Sequence, residues 1–193
     1  MTRIIAGSAG GRRLRTPPGD RTRPTSDRVR EALFSTLESE LDTLVGARLV
    51  DVYAGSGAVG LEACSRGADH VTFIERAAAV ATLIRSNARD LGFTSVTVVS
   101  ASAGTAAARP PEGGGHDVAF LDPPYSTGSE DLSGVLTLMG TTGWLVVGAV
   151  IVVERAHRTG EWRWPAGFMP LRSKRYGDTV LWYGRFVSPL PVT

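Results

Sequence analysis

Cysteine, lysine and histidine are scarce in this 193-residue chain, and each shortage excludes something. A single cysteine, Cys64, closes no internal disulfide, and three scattered histidines, His70, His116 and His157, form no ligand cluster. Disulfide scaffolds and zinc modules are therefore excluded, no metal is expected, and the reducing cytosol is the expected compartment. Long hydrophobic runs are absent too. The longest, Trp144 to Val153, reaches only half of the ~20 residues that a membrane-spanning helix needs, so no membrane association is expected. The opening MTRIIAGSAGGRR has no apolar stretch of the length a secretory signal uses, and none is expected. What is present, 42% hydrophobic and 21% charged residues, suits one ordinary globular domain. A chain of this size buries roughly 70% of its unfolded surface and needs no covalent staple.

Only one of the 21 basic residues is lysine, Lys174, and the rest are arginines placed unevenly. Residues 1–30 hold eight Arg against two acids, a net +6, so the other 163 residues carry 13 basic and 17 acidic groups, a net −4. Segregation of this kind points to a polyanionic partner. The chain is expected to divide into a basic arm, 1–24, and a body, 25–193. Within the arm, Arg3 to Ala6 and Arg12 to Arg15 flank Gly7, Gly10 and Gly11, a pattern that predicts a basic β-hairpin.

Four short apolar runs, Leu49 to Tyr53, Val71 to Glu75, Val96 to Val99 and Val118 to Leu121, recur at nearly constant spacing. Helix-like stretches lie between them, clearest at 77–91, where Gly92 supplies the stop. Apolar runs without alternation imply strands buried on both faces, hence a mostly parallel sheet with helices on either side. Ahead of it, 27–44 predicts a helix capped by Thr25 or Ser26, with Pro24 blocking backward extension. A helix near 130–139 and a fifth strand, Ala149 to Glu154, follow. Phe168 to Tyr176 and Thr179 to Phe186, joined by Gly177-Asp178, predict an antiparallel hairpin. The Ala/Gly/Pro-rich stretch 106–115 reads as a surface connection.

Asp51-Val-Tyr53-Ala-Gly55-Ser-Gly57-Ala-Val-Gly60 stands where the first strand turns into the next helix. Its three glycines satisfy G-x-G-x-x-G, which lets a ligand approach the backbone, be it a dinucleotide or S-adenosylmethionine, and also suits a merely tight turn. Glu75 closes the second strand about 20 residues beyond Gly55, where a carboxylate accepts both ribose hydroxyls of an adenosine. Asp51 favours S-adenosylmethionine, because a carboxylate there repels a pyrophosphate and attracts the ammonium of a methionine moiety. Tyr53 and Arg76, beside these acids, complete the candidate cofactor set.

Phe120-Leu121-Asp122-Pro123-Pro124-Tyr125 ends the fourth strand. In a doubly wound sheet the strand order reverses between the first and fourth strands, so this loop should lie beside the glycine loop. Two prolines stiffen it and leave carbonyl oxygens without internal partners. Such a corner suits an exocyclic amine: acceptors from Asp122 and the Pro123 carbonyl draw a delocalised nitrogen toward tetrahedral geometry. Tyr125 offers a platform for a base turned out of its stack.

These motifs resemble those of the Rossmann-fold amino-methyltransferases. The arm narrows the resemblance: Arg3-Ile-Ile-Ala-Gly7, Gly11-Arg-Arg-Leu14 and Arg23-Pro-Thr-Ser-Asp-Arg-Val-Arg-Glu-Ala-Leu-Phe34 are similar to the RsmD family, over nearly the whole chain. The resemblance implies an α/β fold of the class I S-adenosylmethionine-dependent kind, seven-stranded and mostly parallel with an antiparallel C-terminal strand. It further implies methylation of a guanine N2 amine in small-subunit (16S) ribosomal RNA within an assembling subunit; a cytoplasmic monomer is expected. Arg3, Arg12, Arg13, Arg15 and Arg23 would contact RNA phosphates. One position departs from the wider methyltransferase pattern: an acid after the third strand is replaced by Ser100-Ala-Ser102-Ala, leaving Ser102 or a backbone group for the adenine. Other readings of the motifs are an adenine-N6 methyltransferase, a nicotinamide-dependent reductase and a non-enzymatic RNA-binding assembly factor.

Overall fold

The Ser26 hydroxyl accepts the Val29 N–H at 3.3 Å in the computed structural model, which describes residues 2–17 and 26–187. That cap starts α1 (Asp27–Leu41). The helix is one turn shorter than its apolar spacing predicts, because Asp42 takes a left-handed conformation (φ 63°). Leu44 still reaches the core from the loop beyond. Arg23, Pro24 and Thr25 lie outside the described residues.

The remaining elements are β1 (Arg48–Val52), α2 (Ala58–Ser65), β2 (His70–Ile74), α3 (Ala78–Leu91), β3 (Val96–Val99), α4 (Ala103–Ala107), β4 (His116–Leu121), α5 (Ser129–Thr141), β5 (Leu145–Ala156), β6 (Phe168–Tyr176) and β7 (Thr179–Phe186). They form one sheet of order β3-β2-β1-β4-β5-β7-β6, in which β7 alone runs opposite to the other six strands. This is the architecture expected, including the reversal between β1 and β4. Two elements differ from the sequence reading. β5 runs from Leu145 rather than Ala149, with an irregularity in its pairing between His116 and Val118. The short α4 overlaps a stretch expected as a loop, because Ser102 caps it through the Thr105 N–H.

Alternation along the buried strands divides the core. Leu49, Phe73, Val118, Phe120 and Val152 face α1, α2 and α3; Val50, Val52, Ala119, Leu121 and Ile151 face α4 and α5. Trp162 is buried in the second layer, edge-on to Trp164, consistent with a packing role in the β-rich tail.

The arm is seated on the first layer. Its hairpin amounts to one bridge, Arg3 with Arg13, flanked by Ile4 N–H to Arg12 O and Leu14 N–H to Thr2 O, both 2.9 Å. Ile4, Ala9 and Leu14 are buried in the same core as α1–α3. Glu62, fully buried on α2, accepts the Ile5 and Ala6 N–H groups at 2.6 and 3.0 Å. A Cβ on Gly7 (φ 80°) would stand 1.9 Å from the Ser65 carbonyl oxygen, so only glycine fits that turn. On α3, Asn87 accepts the Arg15 N–H, donates to the Arg15 carbonyl, and reaches the Ser56 carbonyl of the glycine loop at 3.4 Å.

His116 opens β4, fully buried and stacked on Trp144. The Trp144 carbonyl requires a donor, so Nδ1 carries the proton and Nε2 accepts from the Thr72 hydroxyl. Burial holds its pKa down to about 4, which makes it a neutral core residue.

Candidate active site

Val52 of β1 pairs with Leu121 of β4, so the two loops that follow, from Tyr53 and from Asp122, leave the sheet side by side. Ile74 of β2 and Val153 of β5 sit at the same level on either flank. Strand alternation therefore brings Glu75, Asp51, Asp122 and Glu154 to one face along four neighbouring strands, with Asp51 two residues deeper than the rest. Glu154 was not among the residues expected at the site. A lone acid at the end of an apolar strand gives no local signal of it, and only the register places it beside Asp122.

The three glycines of the first loop serve different needs. A Cβ on Gly60 would meet the Phe73 ring at 2.3 Å, so this position is fixed by packing of α2 on β2. Gly57 is the left-handed N-cap of α2 (φ 78°). Around Gly55 (φ 53°) the space is open, with only the Tyr53 carbonyl oxygen as near as 4.0 Å, and here a ligand can approach the backbone. Tyr53 itself is left-handed (φ 65°), which ends β1 one residue earlier than expected. Burial, with Asp131 nearby, pushes its phenol pKa up against the opposing effect of Arg155.

Glu75 closes the loop, accepting the Gly55 N–H at 3.0 Å and the Ala77 N–H at 2.8 Å through different oxygens. Each oxygen keeps a further lone-pair site, sufficient for a pair of ribose hydroxyls. Arg76 beside it is exposed. Asp51 is buried and accepts the Gly60 N–H at 2.9 Å. Its pKa is raised to about 8, chiefly by burial and further by Glu75, with the Gly60 bond opposing. Ser102 is engaged elsewhere: its hydroxyl caps α4 and meets the Thr105 hydroxyl at 2.8 Å.

Asp122 is half-buried. Burial first, then Glu154 and Asp51, hold its carboxyl well above the usual carboxylate range. Of the two proline carbonyls, Pro124 accepts the Thr127 N–H at 2.9 Å, which corrects the expectation that neither has an internal partner. No described residue donates to Pro123, whose oxygen remains an acceptor next to Asp122. The buried Arg155 braces the loop from β5 by donating to the Thr127 carbonyl at 3.1 Å. Tyr125 projects from the stiffened corner with 66% of its surface exposed, and the Arg158 guanidinium lies 5.3 Å over its ring. Arg155 and Arg158 are both invisible to motif reading, since their partners lie about thirty residues earlier in the chain.

The arm arginines are distributed over the first layer rather than gathered at this loop. Arg3 pairs with Asp27 at 3.1 Å, Arg12 donates to the Asp90 carbonyl at 2.7 Å, and Arg15 pairs with Asp90 at 2.9 Å. Arg13 is exposed.

Residues 2–185 match the family described as "Conserved hypothetical protein 95". The ribosomal RNA small subunit methyltransferase D of Escherichia coli K12 is 38% identical over 178 residues, 92% of this chain and 86% of that protein. The chain belongs to the RsmD family. A second RsmD protein, from Haemophilus influenzae, is 36% identical over 154 residues, 79% of this chain and 77% of its own. Among solved structures, Escherichia coli yhhF superposes with a TM-score of 0.84 at 34% identity, covering 97% of this chain and 98% of that one. The strand order, the antiparallel β7 and these neighbours make the fold that of the Rossmann-like class I methyltransferases. RsmD membership covers the arm as well as the sheet, since the match begins at residue 2.

Proposed function

We propose that this chain transfers a methyl group from S-adenosylmethionine to the N2 amine of a guanine in small-subunit ribosomal RNA, presented in an assembling subunit. The observation that carries the reading is the adjacency of the glycine loop to Asp122-Pro-Pro-Tyr125 at the reversal of strand order, where ligands of doubly wound sheets bind. The ribosomal RNA named for the Escherichia coli and Haemophilus relatives supports the substrate class.

Open space at Gly55, a bracing carboxylate at Glu75 and a buried acid at Asp51 fit an adenosine bearing a cationic methionine. When bound, S-adenosylmethionine supplies an activated methyl group on a sulfonium centre. Glu75 would hold the ribose hydroxyls and Asp51 the ammonium. Asp122 and the Pro123 carbonyl accept the two N–H bonds of the guanine amine, turning its lone pair out of conjugation, while Tyr125 stacks on the ring. The amine becomes acidic once alkylated, so Asp122 contributes position and charge more than basicity. A tritiated-methyl assay on small-subunit particles from cells lacking the protein, with DNA in parallel, tests the reading. Label in N2-methylguanine of the RNA is expected. Label in DNA adenine, or none in RNA, overturns it.

Asp51 makes cofactor binding pH-dependent. With its pKa near 8, Asp51 is mostly protonated at pH 7, and an adjacent ammonium favours the carboxylate. Binding at pH 7 should therefore release close to one proton. Affinity should rise as pH approaches 8 and level off above it. Calorimetry in buffers of different ionisation enthalpy reads the release, and Asp51→Asn should abolish it. A binding enthalpy independent of buffer would remove Asp51 from this role. For folding without ligand the sign is opposite: a raised carboxyl pKa favours the folded state at low pH, and that advantage is lost as pH rises through about 8.

A further inference from the structure

Positive charge is not confined to the arm. Residues 155–193 hold seven basic and two acidic groups, a net +5, which leaves residues 31–154 at −9. A polyanion approaching a body of that net charge is repelled unless cations stand close by.

The fold brings part of the second positive pole there. The turn His157–Thr159 follows β5 directly, and the turn closing β6 and β7 packs against it, His157 N–H donating to the Asp178 carbonyl at 2.7 Å. Arg175 donates to His157 Nε2 at 2.8 Å and through Nε to the Gly177 carbonyl at 2.8 Å. His157, Arg158 and Arg175 are all exposed. Their basic neighbours are committed to the fold: Arg172 and Arg185 pair with Glu40, Lys174 donates to the Thr36 hydroxyl, and Arg155 is buried against the loop. Arg158 covers a ring that is otherwise open. A stacked base gains more from an exposed aromatic ring than a solvated guanidinium does, so a base takes the ring and the guanidinium moves off. The displaced guanidinium is then next to that nucleotide's own phosphates, to which its planar fork is suited.

We propose that the corner made by His157–Thr159 and the β6–β7 turn is a second RNA-contact surface, on the Tyr125 side of the site, in which Arg158 and Arg175 hold the phosphates flanking the stacked nucleotide. Arg158 occupies the face of Tyr125 until the base displaces it. This rests on the reading of the substrate as RNA. The arm grips at the α1–α3 layer, this corner grips beside Tyr125, and the acidic row lies between them.

The test uses the full chain, with small-subunit particles from cells lacking the protein as substrate. Arg158→Ala and Arg175→Ala should each raise KM for the particle about tenfold and reduce the slope of log affinity against log salt by about one, with kcat within about twofold. S-adenosylmethionine affinity should be unchanged, which shows that the variants fold. Arg158→Lys should recover most of the salt slope. Unchanged KM and slope in variants that still methylate overturn the proposal. If the wild-type chain methylates no RNA, the proposed function fails instead, and the surface is then decided by anisotropy with fluorescein-labelled 16S RNA: binding weakened by Arg158→Ala supports it, equal binding overturns it.

Discussion

Alanine at position 122 is expected to cut the single-turnover rate of methyl transfer about a thousandfold while raising the melting temperature. The two effects have one cause. Asp122 makes no hydrogen bond through its side chain to any described residue, is pushed toward its neutral form by burial, and faces Glu154 and Asp51. An ionised carboxylate in that setting costs the empty protein stability, so its removal relieves repulsion. In the complex the same group is one of two acceptors on the guanine amine. Losing a preorganised acceptor of this kind typically costs 10²- to 10³-fold or more, by the analogy of an oxyanion-hole donor. Asp122→Asn should be intermediate in rate, since its carbonyl still accepts. The acid limb of the pH–rate profile should lie above the usual carboxylate range in the wild type and vanish in the Asn variant. A variant that turns over normally would remove Asp122 from the chemistry. One that loses activity together with its fold would show that the aspartate is structural.

The largest stability effect is expected far from the chemistry. Glu62→Ala should lower the unfolding free energy by about 3–5 kcal/mol in urea titration, because it strands partners in a dry place. The carboxylate, with no exposed surface, holds the Ile5 and Ala6 N–H groups and the Arg66 Nε at 2.9 Å. With it gone, the arm loses its anchor, Ile4 and Leu14 lose their seat, and the Arg66 guanidinium keeps Glu38 and the face of Phe34. Glu62→Gln should lie between the two, since one of its atoms would meet an N–H with an N–H. Wild-type stability in the alanine variant would mean that Ser65 and Asn87 suffice to hold the arm. For the same reason, deletion of the arm is a poor probe of RNA binding: it uncovers core, whereas charge removal at exposed Arg13 leaves the seat intact.

Most of the sheet was legible because burial on both faces leaves apolar runs that need no context, as in Leu49–Val52 and Val118–Leu121. Asp122-Pro-Pro-Tyr and the glycine loop were legible because the relevant residues are consecutive. What escaped depends on meetings across the chain. The helical period of α1 continues to Leu44 although Asp42 has already turned the backbone over. α4 is hidden in an alanine- and glycine-rich stretch and shows only through its Ser102 cap. Glu62 looks like any surface helix acid until a strand from 56 residues earlier lies across it. Arg158 needs two loops to converge before its place over Tyr125 has any meaning.

The seating of the arm also orders events in time. Its partners on α2 and α3 stand 56 to 78 positions later in the chain. During synthesis, which proceeds from the N-terminus, the arginines of the arm leave the ribosome long before Glu62, Ser65 and Asn87 exist to receive them. For that interval the nascent chain trails an unseated cationic strand beside ribosomal RNA. Only when residue 87 has emerged can the arm exchange that surface for its own helices.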